Sequence, residues 1–295
     1  MKIGFVGLGR LGTAMVLRLL SCGHDVVVWN RTQTAITAVL PFGARAALSP
    51  AAAAADAQIV MLCLLDGTAV EHVVFGQQGI ASAIGQRILV DHSSISPVAT
   101  RAFSARALQN DLEWVDAPVS GGVAGARAAA LTVMAGGSPD SIKTASEPIR
   151  AYASRIIRVG DVGAGQTAKL CNQTIVSATI LAIAEAVALA QNSGVQPTQL
   201  PEIFAGGWAD STLLKVFVPR MVSLPDEGVG ALSTLLKDVE CIGELARATQ
   251  TPMPISGAVQ HTLRIAAAMG LGDSDLAAVA QLFAPQTIKR RKSAI

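Results

Sequence analysis

The chain has 295 residues, of which 51% are hydrophobic and 15% charged, and 23 Lys and Arg against 21 Asp and Glu leave a net charge of +2. This composition excludes a disordered or collagen-like chain, and the small net charge favours neither nucleic acid nor a membrane surface as a partner. The length favours about two domains. The four cysteines are far apart and form no CxxC pair, so we expect no disulfide framework and a cytoplasmic location.

From Ile3 to Ala135, short β-branched apolar runs alternate with helical stretches rich in alanine and leucine. This alternation is typical of βαβ units and predicts an α/β fold with a mainly parallel sheet. Helices are predicted at Thr13–Ser21 and Pro97–Gln109, and Ala51–Ala55 is predicted to be a short surface helix. The predicted strands are Ile3–Val6, Val26–Trp29, Ile59–Leu64, Ile88–Val90, Trp114–Ala117 and Leu131–Ala135.

After Gly163 the predicted elements are all helical, which divides the chain into an α/β domain at 1–162 and a helical domain at 163–295. The apolar run Ile175–Ala190 contains Glu185, so we interpret it as a buried helix rather than a membrane span. The basic tail Lys289–Lys292 is interpreted as a solvated terminus, with anion or nucleic-acid binding as the alternative. The predicted helices are Gln166–Asn192, Thr198–Phe204, Leu213–Met221, Leu232–Ala248, Gly257–Met269 and Leu276–Leu282.

A GxGxxG motif follows the first predicted strand and opens a helix. Its residues are Gly7, Leu8, Gly9, Arg10, Leu11 and Gly12. In this context the first glycine makes a tight turn, the second admits a pyrophosphate and the third lets the helix pack closely. We therefore predict dinucleotide binding, with a purely structural glycine turn as the alternative.

The second predicted strand ends in Asn30, Arg31 and Thr32. An NAD-selective site usually carries Asp or Glu here for the ribose hydroxyls, whereas Arg31 offers a planar fork that suits a phosphate. The pattern predicts a preference for NADPH over NADH. The alternative is that Arg31 is an ordinary surface arginine at the end of a strand.

A second glycine-containing segment, Asp116–Gly122, follows the predicted strand Trp114–Ala117. Successive backbone N–H groups at Ser120, Gly121 and Gly122 can form a concave anion site, so we predict binding of a small carboxylate. A structural turn is the alternative. A hydrolase nucleophile is disfavoured, because Pro118 stands where a GxSxG elbow needs glycine.

In the predicted helix Gln166–Asn192, Lys169 and Asn172 are three residues apart and share a face. A lysine in an apolar helix is costly unless its ammonium enters a polar cleft, where it can act in acid–base chemistry. Asn172 and Gln173 are also polar in this apolar helix. The alternative is a surface lysine with its stem on the helix.

Together with Asp91–Pro97 and Leu236–Asp238, these motifs resemble those of the β-hydroxyacid dehydrogenase family, over nearly the whole chain. The family includes 3-hydroxyisobutyrate dehydrogenase, tartronate semialdehyde reductase and the glyoxylate/succinic semialdehyde reductases. The resemblance implies an NADP-binding Rossmann domain followed by a helical substrate and dimerisation domain, in a homodimer or homotetramer. It also implies hydride transfer between NADP and a small carboxylate-bearing aldehyde, keto acid or hydroxy acid.

By the family pattern, Lys169 is the acid–base group, and substrate is held by Ser120, Gly121, Gly122 and Asn172. Along the cofactor the resemblance places Cys63, Leu64, Ser94 and Lys237, with Asp238 orienting the last of these. The chain departs from the family in having Gln173 for a second asparagine and Ser94 for threonine, and Gly230 stands where semialdehyde reductases tend to have phenylalanine.

Imine reductases resemble the same scaffold but generally lack a lysine at position 169, which disfavours that activity. A catalytically silent NADP-binding regulatory protein is the other alternative, and retention of Lys169, Ser120 and Asn172 argues against it. No metal is expected, because the four histidines lack metal-ligand spacing and are interpreted as surface or locally bonded residues. They are His24, His72, His92 and His261.

Overall fold

The computed structural model describes residues 1–224, 226 and 228–283. The basic tail Lys289–Lys292 lies outside the described residues. Contacts divide the chain into two units, Met1–Cys171 and Asn172–Ile295. The division falls inside one long helix, Ala164–Asn192, whereas the predicted domain boundary stands just before the start of that helix.

The first unit is built on a nine-stranded sheet, in the order β3-β2-β1-β4-β5-β6-β8-β7 with β9 paired to β8. Neighbours from β3 to β6 are parallel, β8 is antiparallel to β6 and β7, and β9 is parallel to β8. The predicted mainly parallel sheet is confirmed. The strands are β1 (Lys2–Val6), β2 (Asp25–Trp29), β3 (Arg45–Ala46), β4 (Ile59–Leu62), β5 (Arg87–Asp91), β6 (Leu112–Asp116), β7 (Val119–Ser120), β8 (Leu131–Gly136) and β9 (Ala153–Gly160).

Helices connect these strands, and a core lies on each face of the sheet. One core packs under α1, α6 and α7, and the other under α3, α4 and α5. Short 3-10 turns occur at Leu40–Phe42 and Ile80–Ser82. The helices are α1 (Arg10–Ser21), α2 (Gln33–Thr37), α3 (Pro50–Ala54), α4 (Gly67–Phe75), α5 (Pro97–Leu108), α6 (Gly122–Arg127), α7 (Pro139–Ile149) and α8 (Ala164–Asn192).

One short helix is confirmed, and one strand was not predicted. The alanine-rich helix α3 lies at the surface as predicted, with Ala52 exposed. Its inner face packs closely because Gly4 of β1 lets it approach: a Cβ at Gly4 would lie 2.4 Å from the carbonyl oxygen of Ala53. Strand β9 was not predicted. It has seven non-buried residues out of eight and pairs along one side with β8, so its sequence lacks the apolar run of a buried parallel strand.

The strand order places a crevice at one position of the sheet. Strand β1 lies between β2 and β4, and the connections from β1 and β4 leave in opposite directions across the sheet. In open α/β sheets, ligands bind outside the carboxyl ends of the strands at such a switch point. The glycine-rich motif follows β1 and therefore starts at this place.

The second unit is helical, as predicted. Buried side chains on its part of α8 recur at three- and four-residue intervals, from Gln173 through Ser177, Ile180 and Ala184 to Val187, which is the stripe of an amphipathic core helix. Further helices are α9 (Leu200–Ile203), α10 (Thr212–Val222), α11 (Leu232–Ala248) and α12 (Pro254–Ala266), with 3-10 turns at Pro197–Gln199 and Leu276–Leu282 and a π-helical turn at Ala267–Leu271.

By length and composition, α8 also passes the test for a candidate membrane span. Within its most apolar window, 44% of the residues are buried inside the protein. A core helix of a soluble protein passes the same test, so this property alone is weak evidence for a membrane.

Candidate active site

The glycine-rich loop after β1 has the geometry that close packing requires. Gly7 has φ +101°, and a Cβ there would lie 2.3 Å from the carbonyl oxygen of Cys63. A Cβ at Gly12 would lie 2.0 Å from the carbonyl oxygen of Gly7, whereas one at Gly9 would meet no atom within 4 Å. Gly7 and Gly12 thus allow close packing of the backbone, whereas Gly9 faces open space.

Helix α1 begins at this open space. No side chain caps its N terminus at Gly9, and its first turn contains no acidic residue. The positive end of the helix dipole and its backbone N–H groups therefore favour an anion at this point. Arg10 is exposed in the first turn, and Leu11 packs on the core.

Asn30 ties the loop after β2 to the glycine-rich loop. Its Oδ1 accepts a hydrogen bond from the Leu8 N–H at 2.9 Å, and its Nδ2 donates to the Thr32 carbonyl oxygen at 3.1 Å. The Asn30 side chain, which stands where an NAD-selective site usually carries a carboxylate, thus supports both loops. Arg31 and Thr32 are exposed beside it.

The loop after β5 is held by buried hydrogen bonds on both sides of Ser94. The Ser93 N–H donates to Asp91 Oδ1 at 2.9 Å, and Ser93 Oγ accepts from the Leu64 N–H at 3.0 Å. Beyond Ser94, the Ile95 N–H donates to Gln166 Oε1 at 3.2 Å. Ser94 itself is half-buried. Its neighbour Ser93 is hydrogen-bonded to Leu64, just after β4, and to Asp91, the last residue of β5.

Asp116, at the carboxyl end of β6, anchors the start of α8. Its two carboxylate oxygens accept hydrogen bonds from the N–H groups of Gly163 and Gln166, each at 2.8 Å. Burial raises the pKa of Asp116, while the backbone donors, including Gly163 and Gln166, act in the opposite direction. This contact places the first turns of α8, with half-buried Lys169, after the carboxyl end of β6.

The segment Ser120–Gly122 leaves β7 with a backbone shape that favours glycine. Gly121 has φ +121° and Gly122 has φ +61°, and both are exposed. A Cβ at Gly122 would meet no atom within 4 Å. Ser120 is half-buried and pairs with Thr132 of β8. A Cβ at Gly121 would lie 3.0 Å from Leu131 Cδ2, so the open space is at Gly122, and carboxylate binding by these N–H groups stays a prediction.

In the second unit, four side chains form a connected polar group. Asn172 Nδ2 donates to Gln173 Oε1 at 2.9 Å, and Gln173 Nε2 donates to Asp238 Oδ2 at 2.6 Å. Asp238 is 4% exposed and forms an ion pair with Lys237 at 2.8 Å. Asp238 thus contacts Lys237 through an ion pair and Gln173 through a hydrogen bond, and its role in orienting Lys237 along a cofactor stays a prediction.

Two family models together match nearly the whole described chain. The family model for the NAD binding domain of 6-phosphogluconate dehydrogenase matches residues 2–160. The NAD-binding family model of NADP-dependent 3-hydroxyisobutyrate dehydrogenase matches residues 163–283. The chain belongs to the β-hydroxyacid dehydrogenase family. It is an NAD(P)-dependent oxidoreductase of that family.

Three relatives of this β-hydroxyacid dehydrogenase illustrate the family's range. The 2-hydroxy-3-oxopropionate reductase of Escherichia coli is 32% identical, over 95% of this chain and 96% of the relative. The NAD-dependent L-serine dehydrogenase of Pseudomonas aeruginosa is also 32% identical, over 96% and 98%. The solved structure of Mycobacterium tuberculosis 3-hydroxyisobutyrate dehydrogenase with L-serine has a TM-score of 0.84 at 29% identity, covering 95% of this chain and 98% of that one.

The described residues of the β-hydroxyacid dehydrogenase fit a dinucleotide at the glycine-rich loop. The open position at Gly9 and the uncapped start of α1 provide room and backbone donors for a pyrophosphate. Cys63 is close by, and burial, reinforced by Asp91, raises the pKa of its thiol to about 12. The Cys63 thiol therefore stays protonated and is not a nucleophile.

Directly before Ser93 in the chain, the β-hydroxyacid dehydrogenase contains a buried histidine with tertiary partners. His92 Nδ1 is 2.6 Å from the Ala117 carbonyl oxygen, and Nε2 is 2.7 Å from the Tyr152 hydroxyl. Burial lowers the pKa of His92 to about 4, so its neutral ring donates to Ala117 and accepts from Tyr152. The sequence interpretation of a surface or locally bonded histidine is wrong for His92, because its partners are 25 and 60 residues away.

The roles of Asp116 and Gln166 were not predicted from the sequence, although both residues lie within the predicted segments. Asp116 stands between the apolar residues Val115 and Ala117, a pattern that indicates buried hydrogen bonds. Gln166 stands between Gly165 and Thr167, and this local sequence carries no such signal. Among the residues that the structure describes, no group of three or more His, Cys, Asp or Glu could hold a metal ion.

The first unit brings together the glycine-rich loop, Asn30, Leu64, Ser93 and the start of α8 through the order of its strands and the hydrogen bonds given above.

Proposed function

We propose that this protein is an NADPH-dependent reductase that transfers a hydride between the nicotinamide and a small carboxylate-bearing aldehyde or keto acid, or its hydroxy acid. The observation that carries the proposal is the anchoring of the Lys169 helix. Asp116 binds the start of α8 and lies four residues before Ser120 in the chain. One carboxylate thus connects the segment proposed to bind substrate with the helix proposed to donate a proton.

A bound nicotinamide supplies the hydride in this reaction. Lys169, in the second turn of α8, donates a proton from Nζ to the carbonyl oxygen of the substrate as that carbonyl is reduced. In the direction of oxidation, the same amine accepts the hydroxyl proton. General acid–base transfer of this kind contributes roughly 10² to 10⁴ in rate.

We propose that the substrate carboxylate binds the backbone N–H groups of Ser120, Gly121 and Gly122. Support comes from the two glycines with positive φ and from the open space at Gly122. The Ser120 hydroxyl adds a donor, and Asn172 on α8 adds a side-chain amide. An uncharged substrate would not form the charge-assisted hydrogen bonds that a carboxylate forms at such a site.

A substrate panel tests this proposal. NADPH oxidation is followed with glyoxylate, succinic semialdehyde, tartronate semialdehyde and methylmalonate semialdehyde, each beside an uncharged aldehyde of similar size. We expect at least one acid to be reduced with a kcat/KM at least about tenfold above its uncharged control, which corresponds to about 1.4 kcal/mol. Equal values for acid and control would refute the anion site, and absence of turnover with every acid would refute the reductase assignment.

The proposed preference for NADPH rests on the end of β2. No carboxylate follows this strand, and the exposed guanidinium of Arg31 stands beside Asn30. An arginine fork binds a ribose phosphate through charge-assisted hydrogen bonds. One relative is described as NAD-dependent, and the family model that matches residues 163–283 is that of an NADP-dependent dehydrogenase, so Arg31 requires a direct test.

We also propose a homodimer or homotetramer in the cytoplasm. On α8, Ile175, Ala182 and Leu189 are exposed at intervals of seven residues, and Ile175 and Leu189 are 68% and 69% exposed. A second copy covering this apolar stripe would remove it from water. The four free cysteines are consistent with a reducing compartment. Light scattering at micromolar concentration tests the assembly, and a monomer would contradict it.

A further inference from the structure

Gln166 is a completely buried polar side chain in the first turn of α8, three residues before Lys169. Its Oε1 accepts the hydrogen bond from Ile95 N–H at 3.2 Å, and its Nε2 donates to the Ser93 carbonyl oxygen at 2.7 Å. The two bonds go to backbone groups on either side of Ser94. A single amide thus spans the segment that bears Ser94 and fixes it to the helix that bears Lys169.

The helix end of this connection is itself fixed. The backbone N–H of Gln166 donates to Asp116 Oδ2 at 2.8 Å. A Cβ at the neighbouring Gly165 would lie 2.5 Å from the carbonyl oxygen of Met134 and 2.6 Å from that of Asp116. The start of α8 is therefore packed tightly on the ends of β6 and β8, and it has little freedom to move relative to Asp116.

The loop end of the connection continues to the segment that follows β4. Ser93 Oγ accepts from the Leu64 N–H at 3.0 Å, and Ser93 and Ile95 are each 2% exposed. Buried backbone groups that lose a hydrogen bond must find another partner or move toward water. Without the Gln166 amide, the Ser93 carbonyl and the Ile95 N–H would each lose a hydrogen bond. Because both groups would then have to reach another partner or water, the segment that includes Ser94 would shift.

We propose that Gln166 is a positioning residue that sets the separation between the Ser94 segment and the turn of α8 that carries Lys169. This inference rests on the proposed function, in which Lys169 donates the proton and Ser94 lies along the cofactor. The amide is suited to the task because it presents one donor and one acceptor in a rigid plane. Displacement of reacting groups by about 1 Å can cost about 10²-fold in rate.

The first test replaces Gln166 with leucine, which is similar in size and offers no hydrogen bond. We expect amide hydrogen exchange of Ile95 in the cofactor-free protein to accelerate at least about tenfold. With the best substrate of the panel, kcat should fall roughly 10- to 100-fold, while Kd for NADPH changes less than about threefold. A decrease confined to thermal stability would show that Gln166 is merely structural and would overturn the inference.

A second variant, Gln166→Glu, adds a pH dependence that a purely structural role would not produce. A protonated carboxyl group has both the O–H donor and the carbonyl acceptor that the amide provides, whereas a carboxylate has acceptors alone. The ratio of variant to wild-type kcat should therefore rise as the pH falls, since protonation restores the donor to the Ser93 carbonyl. A ratio that is independent of pH would contradict the proposed pairing.

Ser141→Ala is the matched control. Ser141 is buried in α7, and its hydroxyl is bonded to Ser138 and Glu113, away from the segments discussed above. Its loss should lower stability without accelerating exchange at Ile95 or reducing kcat. Equal effects of both variants on kcat would overturn the inference.

The proposed function and the role of Gln166 can fail separately. If the wild-type protein reduces none of the acids, the proposed function fails. The positioning role is then decided by exchange at Ile95 and by the emission of bound NADPH, which reports the surroundings of the nicotinamide. Both should change in Gln166→Leu and remain as in the wild type in Ser141→Ala, and unchanged values in Gln166→Leu would overturn the inference.

Discussion

Two glycines of the GxGxxG motif should respond differently to alanine: the change at Gly12 should lower stability, and the change at Gly9 should weaken NADPH binding. Gly12→Ala would place a Cβ 2.0 Å from the carbonyl oxygen of Gly7, a separation that real Cβ atoms do not show, so the backbone must move. Overpacking of this kind costs about 1–3 kcal/mol. Gly9 has φ −67° and ψ −179°, which any residue adopts, and its Cβ would meet no atom within 4 Å. We therefore expect Gly9→Ala to change the free energy of unfolding by less than about 1 kcal/mol.

Binding should show the reverse order. The space next to Gly9 is where the pyrophosphate would approach the backbone, and a methyl group there should raise Kd for NADPH at least about tenfold, or about 1.4 kcal/mol. The assay combines thermal unfolding of the cofactor-free protein with titration of NADPH fluorescence. For a chain of this size, 1 kcal/mol shifts Tm by about 2–4 °C, so the loss at Gly12 is measurable.

Gly257→Ala controls for the general effect of replacing glycine. Gly257 lies in α12, and a Cβ there would meet no atom within 4 Å. Alanine should stabilise this helix slightly and leave Kd for NADPH unchanged. If Gly9→Ala binds NADPH as the wild type does, the loop is not the pyrophosphate site. If Gly12→Ala has the wild-type Tm, the close-packing argument is wrong.

Three further predictions address the acid, the cofactor preference and the buried histidine. Lys169→Ala should lower kcat by roughly 10² to 10⁴ with Kd for NADPH nearly unchanged, and wild-type kcat across the pH range would refute its role. Wild-type kcat/KM should favour NADPH over NADH by at least about tenfold. Asn30→Asp combined with Arg31→Ser should reverse this preference, since the introduced carboxylate can still accept the Leu8 N–H while it repels the 2′-phosphate; equal use of NADH by the wild type at low salt would contradict it. The pKa of His92 lies near 4 in the fold against 6.5 ordinarily, so the unfolded chain binds the proton first and stability should fall by about 3 kcal/mol as the pH drops from 6.5 to 4. Urea unfolding of His92→Asn should show a smaller loss over this window, and an identical pH profile would refute the assignment.

Much of the architecture could be predicted from local patterns. The strand at Lys2–Val6, the glycine-rich turn and the helix that follows are encoded within about 20 consecutive residues, because each depends on its own apolar period and turn residues. The helix Leu232–Ala248 has the predicted bounds. The roles of Lys169, Ser120 and Asn172 were inferred from motif resemblance and stay predictions that the experiments above can test.

Local patterns failed where an element depends on a distant neighbour. Strand β9 carries Arg155 and Arg158 and few buried residues, and it becomes a strand because β8 supplies hydrogen bonds along one side. The close packing of α3 likewise depends on a distant residue, since the missing side chain of Gly4 allows the helix to approach β1. In both cases the decisive partner is more than 20 residues away.

The sequence by itself determined the class of fold, the dinucleotide motif and the family, since these depend on the spacing of residues that are close in the chain. Tertiary structure alone decided how the site is supported. Gln166 reaches Ser93 across 73 positions, Asp116 reaches Gly163 across 47, and Asn30 reaches Leu8 across 22. Buried polar groups are in general hydrogen-bonded. Their partners cannot be predicted from the sequence, because the fold decides which strand ends lie next to one another.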